Sequence, residues 1–327
     1  MTPVGRNDAD TPGHRRSRFE RRSLSRIRLT DDDQLILRQV GRFRFLRSTH
    51  IQKLLPDRAP KKIIERLCAL YHAGYLDRPK AQINYFASSG SAPLVHALGD
   101  KGAELFGGHD RSPLSAGDWS DKNRSVKRPY IGHALLLADL MIAIECGLRS
   151  RSDIEYIAAE TLRAASPAHL VTNNWALTVE VQNRGARHVI PAVPDGVFAL
   201  HFKKDNRRSY FFVEADRATM PITRSDLSQS SYRRRLLAYL SAHKARQHTE
   251  RFGFHNLRIL TITTSAERVS SMIATVNDIT DGKGSGMFLF TDVKSLAAHG
   301  DPLTLPWITT SGSVSIDTPP RFHPGPM

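Results

Sequence analysis

Pro194-Asp195-Gly196-Val197-Phe198-Ala199-Leu200 and, further on, Phe212-Val213-Glu214-Ala215-Asp216-Arg217 decide how the C-terminal half of this chain reads. Each is an apolar run of strand length with carboxylates at its edge. Side chains alternate along a strand. Glu214 and Asp216 therefore share one face, and Ala215 and Arg217 point to the other. If the two strands form a hairpin, Asp195 falls beside Glu214. Three acidic groups converging on one point suit a hard divalent cation such as Mg²⁺. Such an ion polarises a phosphoryl oxygen and activates a water for attack. Without a metal the carboxylates repel one another, and at least one pKa rises.

The flanking sequence reads as helix over 130–148, strands over 154–159 and 175–182, a buried strand within 189–202, and a strand over 210–215. A long helix over 228–251 follows, then a strand over 257–263, a helix over 266–279 and a strand over 286–290. That order is α/β with a mixed sheet. Pro and Ser dominate from Pro302 onward, so a loosely ordered tail is expected there. Arg235, or Arg234 before it, could reach back from the long helix to the acidic site and supply a cation. Tyr232, Leu236, Tyr239 and His243 follow helical spacing and read as a packing stripe. His133 lies on an apolar helix and reads first as a hydrogen-bonded core residue, second as a lining residue of the acidic site. Cys68 and Cys146 lack the spacing of a zinc site and read as reduced core thiols.

Upstream, Thr30 and Asp33 form a capping box of acidic type, and Leu35, Ile36, Val40 and Phe43 repeat at helical spacing. Ser48 caps a short second helix. A third helix runs over 60–72 and stops at Gly74. Strands are expected over 75–78 and 94–98. Three short helices followed by a hairpin is the winged helix-turn-helix order. Its third helix carries Lys61, Lys62 and Arg66 as donors for phosphates and base edges, and Arg78 follows at the first hairpin strand. Residues 1–28 read as a disordered basic arm, with eight arginines, Arg15 and Arg16 among them, against three acidic residues. The expected organisation is an arm over 1–28, a winged helix over 29–106, a linker over 107–129, an α/β domain over 130–300 and a tail over 301–327.

The 327 residues hold 47 Lys and Arg against 32 Asp and Glu, a net charge of +15. A pI near 10.1 points to a polyanionic partner, most often nucleic acid, with an inert basic surface as the plain alternative. A hydrophobic share of 40% excludes a wholly disordered chain. The most apolar stretch, 131–148, contains His133, Asp139 and Glu145, which fits a buried helix better than a membrane span. The N-terminus lacks an apolar signal core. A cytoplasmic protein without a membrane partner is expected.

Pro194-Asp195 followed by Glu214-x-Asp216 resembles the PD-(D/E)xK nuclease core. The whole pattern resembles the replication-relaxation family. It is carried by Leu29-Thr30, Gly41-Arg42-Phe43-Arg44-Phe45-Leu46, Ala73-Gly74-Tyr75-Leu76-Asp77-Arg78, Gly132-His133-Ala134-Leu135, Pro194-Asp195-Gly196, Phe212 to Thr219 and Arg235-Leu236-Leu237-Ala238-Tyr239. The resemblance implies an α+β chain, a winged helix before a mixed-sheet nuclease-like domain, working on plasmid or mobile-element DNA in replication, transfer or its regulation. The nuclease pattern places Lys where this chain has Asp216, so a degenerate nuclease-like domain is expected. The alternative is a Mg²⁺-dependent endonuclease or nickase using Asp195, Glu214, Asp216 and Arg235. A second alternative is a protein-interaction adaptor. Double-stranded DNA is the expected partner, with replication or transfer proteins beside it.

Overall fold

The computed structural model describes residues 17–22, 27–83, 92–105, 119–166, 175–183, 186–224 and 226–319. The chain divides into two compact units, Met1–Gln52 with Asp57–Arg128, and Lys53–Pro56 with Pro129–Met327.

The N-terminal elements are α1 (Asp31–Phe43), β1 (Leu46–Arg47), α2 (Ser48–Leu54), α3 (Pro60–His72), β2 (Leu76–Asp77), β3 (Val95–Leu98), α4 (Asp100–Glu104) and α5 (Trp119–Ser125). The capping box closes α1 as the sequence requires: the Asp33 amide donates to Thr30 Oγ1 over 3.3 Å, and the Thr30 amide donates to Asp33 Oδ2 over 2.7 Å. Pro60 opens α3 at a position whose amide has no helical partner to lose. The three short strands form an antiparallel sheet in the order β1-β3-β2. Ile36, Leu37, Val40, Ile63, Leu67 and Leu70 are buried, as are Leu76 and Leu98 of the sheet.

Two boundaries differ from expectation. Residues 119–125 are not linker: α5 is helical, Trp119 is buried, and Asn123 Nδ2 donates to Leu98 O over 2.7 Å. A buried aromatic and a buried amide hold this stretch to the first unit. Within the arm, residues 17–22 are docked, because Arg21 Nε donates to Tyr71 O and Nη2 to Leu76 O, both over 3.0 Å. Arg15, Arg16 and the hairpin tip over 84–91 lie outside the described residues.

The second unit continues with α6 (Arg128–Leu148), β4 (Ile154–Ala158), α7 (Ala159–Ala165), β5 (Leu177–Asn183), β6 (Ala186–Ala192), β7 (Gly196–Phe202), β8 (Arg207–Ala215), α8 (Tyr232–Lys244), α9 (Gln247–Phe252), β9 (Arg258–Thr263), α10 (Ala266–Ile279), β10 (Phe288–Asp292), α11 (Val293–His299), β11 (Trp307–Thr309) and β12 (Gly312–Val314). Seven strands form one mixed sheet in the order β12-β11-β10-β9-β8-β7-β4, and β5 with β6 make a separate hairpin. β7 and β8 are antiparallel with Gly196 opposite Val213, whereas β8, β9 and β10 run parallel. Parallel neighbours need crossovers, and α8 with α9, then α10, supply them. Val197, Ala199, Tyr210 and Phe212 face a core built with Leu236, Tyr239, Phe252, Phe254 and Met272.

The expected long helix over 228–251 is two helices. Arg246 takes a left-handed conformation at φ 53°, which ends α8 and starts α9. The buried strand expected within 189–202 is β7, and a further strand, β6, precedes it, with Val193, Pro194 and Asp195 between the two. The tail is not loose up to residue 319. Leu303, Trp307 and Ile316 are fully buried, and β11 and β12 extend the sheet beyond β10. Apolar side chains at these positions outweigh the Pro and Ser between them. α6 has the length and apolar composition to cross a membrane, and half of that stretch is buried inside the protein.

Candidate functional site

The acidic residues gather at the carboxyl end of β8. The β7–β8 register carries Asp195 to the side of Glu214, and two hydrogen bonds hold it there. The Asp195 amide donates to Val213 O, and the Ala215 amide donates to Asp195 Oδ2, both over 2.9 Å. Asp195 Oδ1 lies 3.2 Å from His133 Nε2 in the first turns of α6. The carboxylate of Asp195 holds the His133 imidazole above its usual range, against the opposing effect of partial burial. His133, which reads first as a core residue, is partly exposed and paired with Asp195.

Glu214 is fully buried. Arg235 Nη1 donates to its Oε2, and the Tyr239 hydroxyl donates to its Oε1. Burial pushes the Glu214 carboxyl well above the usual range, the nearby Asp195 adds to that, and the Arg235 guanidinium pulls against it. In the next strand Thr261 stands opposite Glu214, and the Tyr232 hydroxyl meets Thr261 Oγ1 at 2.7 Å. Tyr232, Arg235 and Tyr239 thus form one polar stripe on α8. Arg235 reaches the acidic site as its place on the helix suggests, whereas Tyr232 and Tyr239, which read as packing residues, bring their hydroxyls to it.

Asp216 follows β8 and takes different partners. Arg268, in the first turn of α10, grips it with Nε on Oδ2 and with Nη2 on Oδ1 at 2.9 Å. Thr263 Oγ1 donates to Oδ2 over 2.6 Å. Arg268 was absent from the expected site. Only the parallel β8–β9 crossover brings the start of α10 beside the end of β8, and no local motif announces that.

The three carboxylates are engaged separately. Both oxygens of Glu214 are occupied by Arg235 and Tyr239, and both oxygens of Asp216 by Arg268 and Thr263. Among the described residues, no three His, Cys, Asp or Glu side chains are grouped to hold a metal ion. Asp195, Glu214 and Asp216 share an end of the sheet, yet each carboxylate faces its own partner, and this donor set does not fit Mg²⁺. Arg217 turns to α6, where Nη1 donates to Pro129 O over 2.7 Å. A Cβ at Gly132 would come within 2.8 Å of the Arg217 guanidinium carbon, so glycine there makes room for it.

The imidazole shift has a measurable sign. His133 should titrate above 6.5 by NMR, and Asp195→Asn should bring it down. The stabilising contribution of the pair is fully present below pH 6.5 and is lost as pH rises through the folded value. An unchanged titration in the variant would remove Asp195 as the cause.

The expected DNA contacts are placed unequally. Lys61 and Lys62 are exposed on α3, with Lys62 3.2 Å from Glu65. Arg66 is engaged within the first unit. Its guanidinium is committed to the fully buried Asp33 and to Arg28 O, which ties α3 to the start of α1. Arg78 donates to Arg18 O over 2.8 Å and lies over the Tyr71 ring at 4.2 Å. Arg66→Ala should cost about 2 kcal/mol of stability, less than for a wholly buried pair because the guanidinium is about a third exposed. Denaturant unfolding measures it, and an unchanged midpoint would refute the structural role.

No curated protein and no solved structure matches the chain. The family model described as replication-relaxation matches residues 37–251, from within α1 to within α9. That stretch takes in both the three-stranded sheet and the carboxylate-bearing end of β8, and it is well over half of the sequence, so the chain belongs to the replication-relaxation family.

Proposed function

We propose that this protein holds double-stranded DNA through a winged helix in its first unit and carries a nuclease-like second unit that binds without cutting, in the replication or transfer of plasmid or mobile-element DNA. Membership of the replication-relaxation family supports a replication-related function. The observation that carries the non-cutting reading is the capping of Glu214 and Asp216 by Arg235 and Arg268. A hydrolytic metal site needs carboxylate oxygens turned toward the ion, and these are turned to guanidinium groups. The strand order β4-β7-β8-β9, with β9 parallel to β8, is in keeping with the nuclease-like resemblance.

DNA binding rests on charge and element order. Residues 1–128 contain 25 Lys and Arg against 14 Asp and Glu, so they carry +11 of the net +15. A helix pair followed by a hairpin, with the sheet ordered β1-β3-β2, supports the winged-helix reading, and α3 then presents Lys61 and Lys62. Neutralising both lysines should weaken duplex binding roughly tenfold at low salt and reduce the salt slope by about 1–2. Binding equal to the parent would defeat α3 as the DNA helix.

The test of the whole reading is incubation with supercoiled plasmid in Mg²⁺, Mn²⁺ or EDTA. Retarded but intact plasmid in all three is the expected result. Metal-dependent nicking, abolished by Glu214→Gln, would establish the endonuclease instead. Absence of any retardation at low salt would favour the adaptor.

A further inference from the structure

A cavity of about 310 Å³ opens in the first unit between the end of α3, β2 and α5. Phe19, Tyr71 and Pro79 give it apolar wall. Arg21, Arg78, Lys80 and Arg124 surround it with cations, and Asp77 is the one carboxylate among the lining residues. Asp77 is already paired with Arg21 and accepts from Asn123 Nδ2 over 2.9 Å, and Arg124 is ion-paired with the exposed Asp121 one turn earlier on α5. The lining therefore carries excess positive charge.

Two further observations point to a ligand. Ser120 and Asn123, 4% and 2% exposed, both line the cavity. Ser120 Oγ, Asn123 Oδ1 and Arg78 Nε are buried and have no hydrogen-bond partner among the described residues. Three such atoms beside one cavity are unusual, because buried polar groups are nearly always satisfied. They offer one donor, one acceptor and one hydroxyl that serves as either. Second, the guanidinium of Arg78 lies 4.2 Å from the centre of the Tyr71 ring, a planar cation on an aromatic wall. The imidazole of the neighbouring His72 is held below its usual range by burial first, and then by Arg78, Arg22 and Arg21, which reports a positive field on this side of α3.

Planar surfaces, a hydrogen-bonding floor and an exposed cationic rim together match a nucleotide. The geometry points to this cavity as a site for one unpaired nucleotide, its base among Phe19, Tyr71 and Arg78 with an edge toward Ser120 and Asn123, and its phosphate at Lys80 and Arg124. The volume lies at the lower end of small-ligand sites, which suits one nucleotide. Base stacking on aromatic and guanidinium planes tolerates different bases, so weak base preference is expected. The nucleotide comes either free or from an unpaired position in the DNA that the first unit holds, and the second source rests on the proposed DNA binding.

Calorimetry on the full chain separates these. The probes are dAMP, dCMP, dGMP, dTMP, inorganic phosphate, a blunt duplex, and the same duplex with one unpaired terminal nucleotide. The expected result is binding of mononucleotides but not of phosphate alone, or tighter binding of the overhang duplex than of the blunt one. Lys80→Ala with Arg124→Ala, both exposed, should reduce that binding or that difference about tenfold, as for the loss of charge-assisted phosphate contacts. Phe19→Ala should do likewise through the base. Ser120→Ala should alter the preference among the four bases. Equal affinity for blunt and overhang duplexes, with no mononucleotide binding at millimolar concentration, overturns the site while leaving the DNA reading intact. Mononucleotide binding without duplex binding supports the site and overturns the DNA reading. Nucleotide binding unaffected by the Lys80, Arg124 and Phe19 variants places the ligand elsewhere and also overturns the site.

Discussion

Asp216→Ala is expected to lower the thermal midpoint by roughly 10 °C, from a loss of about 3–5 kcal/mol. The Asp216 and Arg268 side chains are only 5% and 14% exposed, so removing the carboxylate strands a guanidinium with little water to solvate it. Arg268 would keep its bond to Met220 O but lose both bonds to the carboxylate. Asp216→Lys should be worse than Asp216→Ala, because it sets a second cation against the first. That outcome would be informative about the nuclease pattern, in which Lys stands at this position. In this chain Arg268 already brings positive charge to that end of β8, from a different helix. Asp216→Ala combined with Arg268→Met should recover most of the loss, since an apolar side chain of similar length leaves no unpaired charge. If the single variant melts with the parent, the clamp is not structural, and an open acidic site returns to consideration.

Trp307→Ala should cost about 3–5 kcal/mol, the usual range for deleting a wholly buried aromatic side chain. Trp307 is fully buried, and its indole Nε1 donates to Pro302 O over 2.9 Å. The backbone around it is also tied in, with the Ile316 and Asp317 amides donating to Leu303 O over 3.0 and 3.1 Å. Ending the chain at residue 300 would remove β11 and β12 and expose the edge of β10, whose Phe288, Leu289 and Phe290 are fully buried. A long apolar edge invites association. The shortened chain should therefore aggregate on heating at concentrations where the parent unfolds without scattering. Scattering recorded beside circular dichroism distinguishes the two, and a shortened chain that melts like the parent would show the last strands to be dispensable.

The local elements were legible where one short segment contains its own cause. Thr30 and Asp33 satisfy each other across one helical turn, so the start of α1 follows from four residues. The helix over 266–279 is likewise set by Ser265, whose hydroxyl accepts from the Arg268 amide, and by the apolar period behind it. Strand alternation put Glu214 and Asp216 on one face, and a hairpin was enough to bring Asp195 beside Glu214. The break at Arg246 was not legible. A left-handed non-glycine residue has no sequence mark, and packing of Phe252 and Phe254 under the sheet rewards the turn. The tail was misread because composition weighs Pro and Ser, while burial depends on where Leu303, Leu305, Trp307 and Ile316 point.

The sequence by itself determined the start of α1, the strands β7, β8 and β9, the basic first unit and the identity of the acidic residues at the end of β8. These depend on periodicity, capping and charge, all of which act over a few residues. Only the tertiary structure decided what each carboxylate does. Asp195 meets His133 from α6, Glu214 meets Arg235 and Tyr239 from α8, and Asp216 meets Arg268 from α10. The same holds for Arg66, which reads as a DNA contact in its own helix and is spent on Asp33 in the fold. A charge shows its type in the sequence, but its role depends on which opposite charge is nearest. That neighbour arrives from 21 residues away for Glu214 and from 52 for Asp216, through crossovers that no local rule specifies.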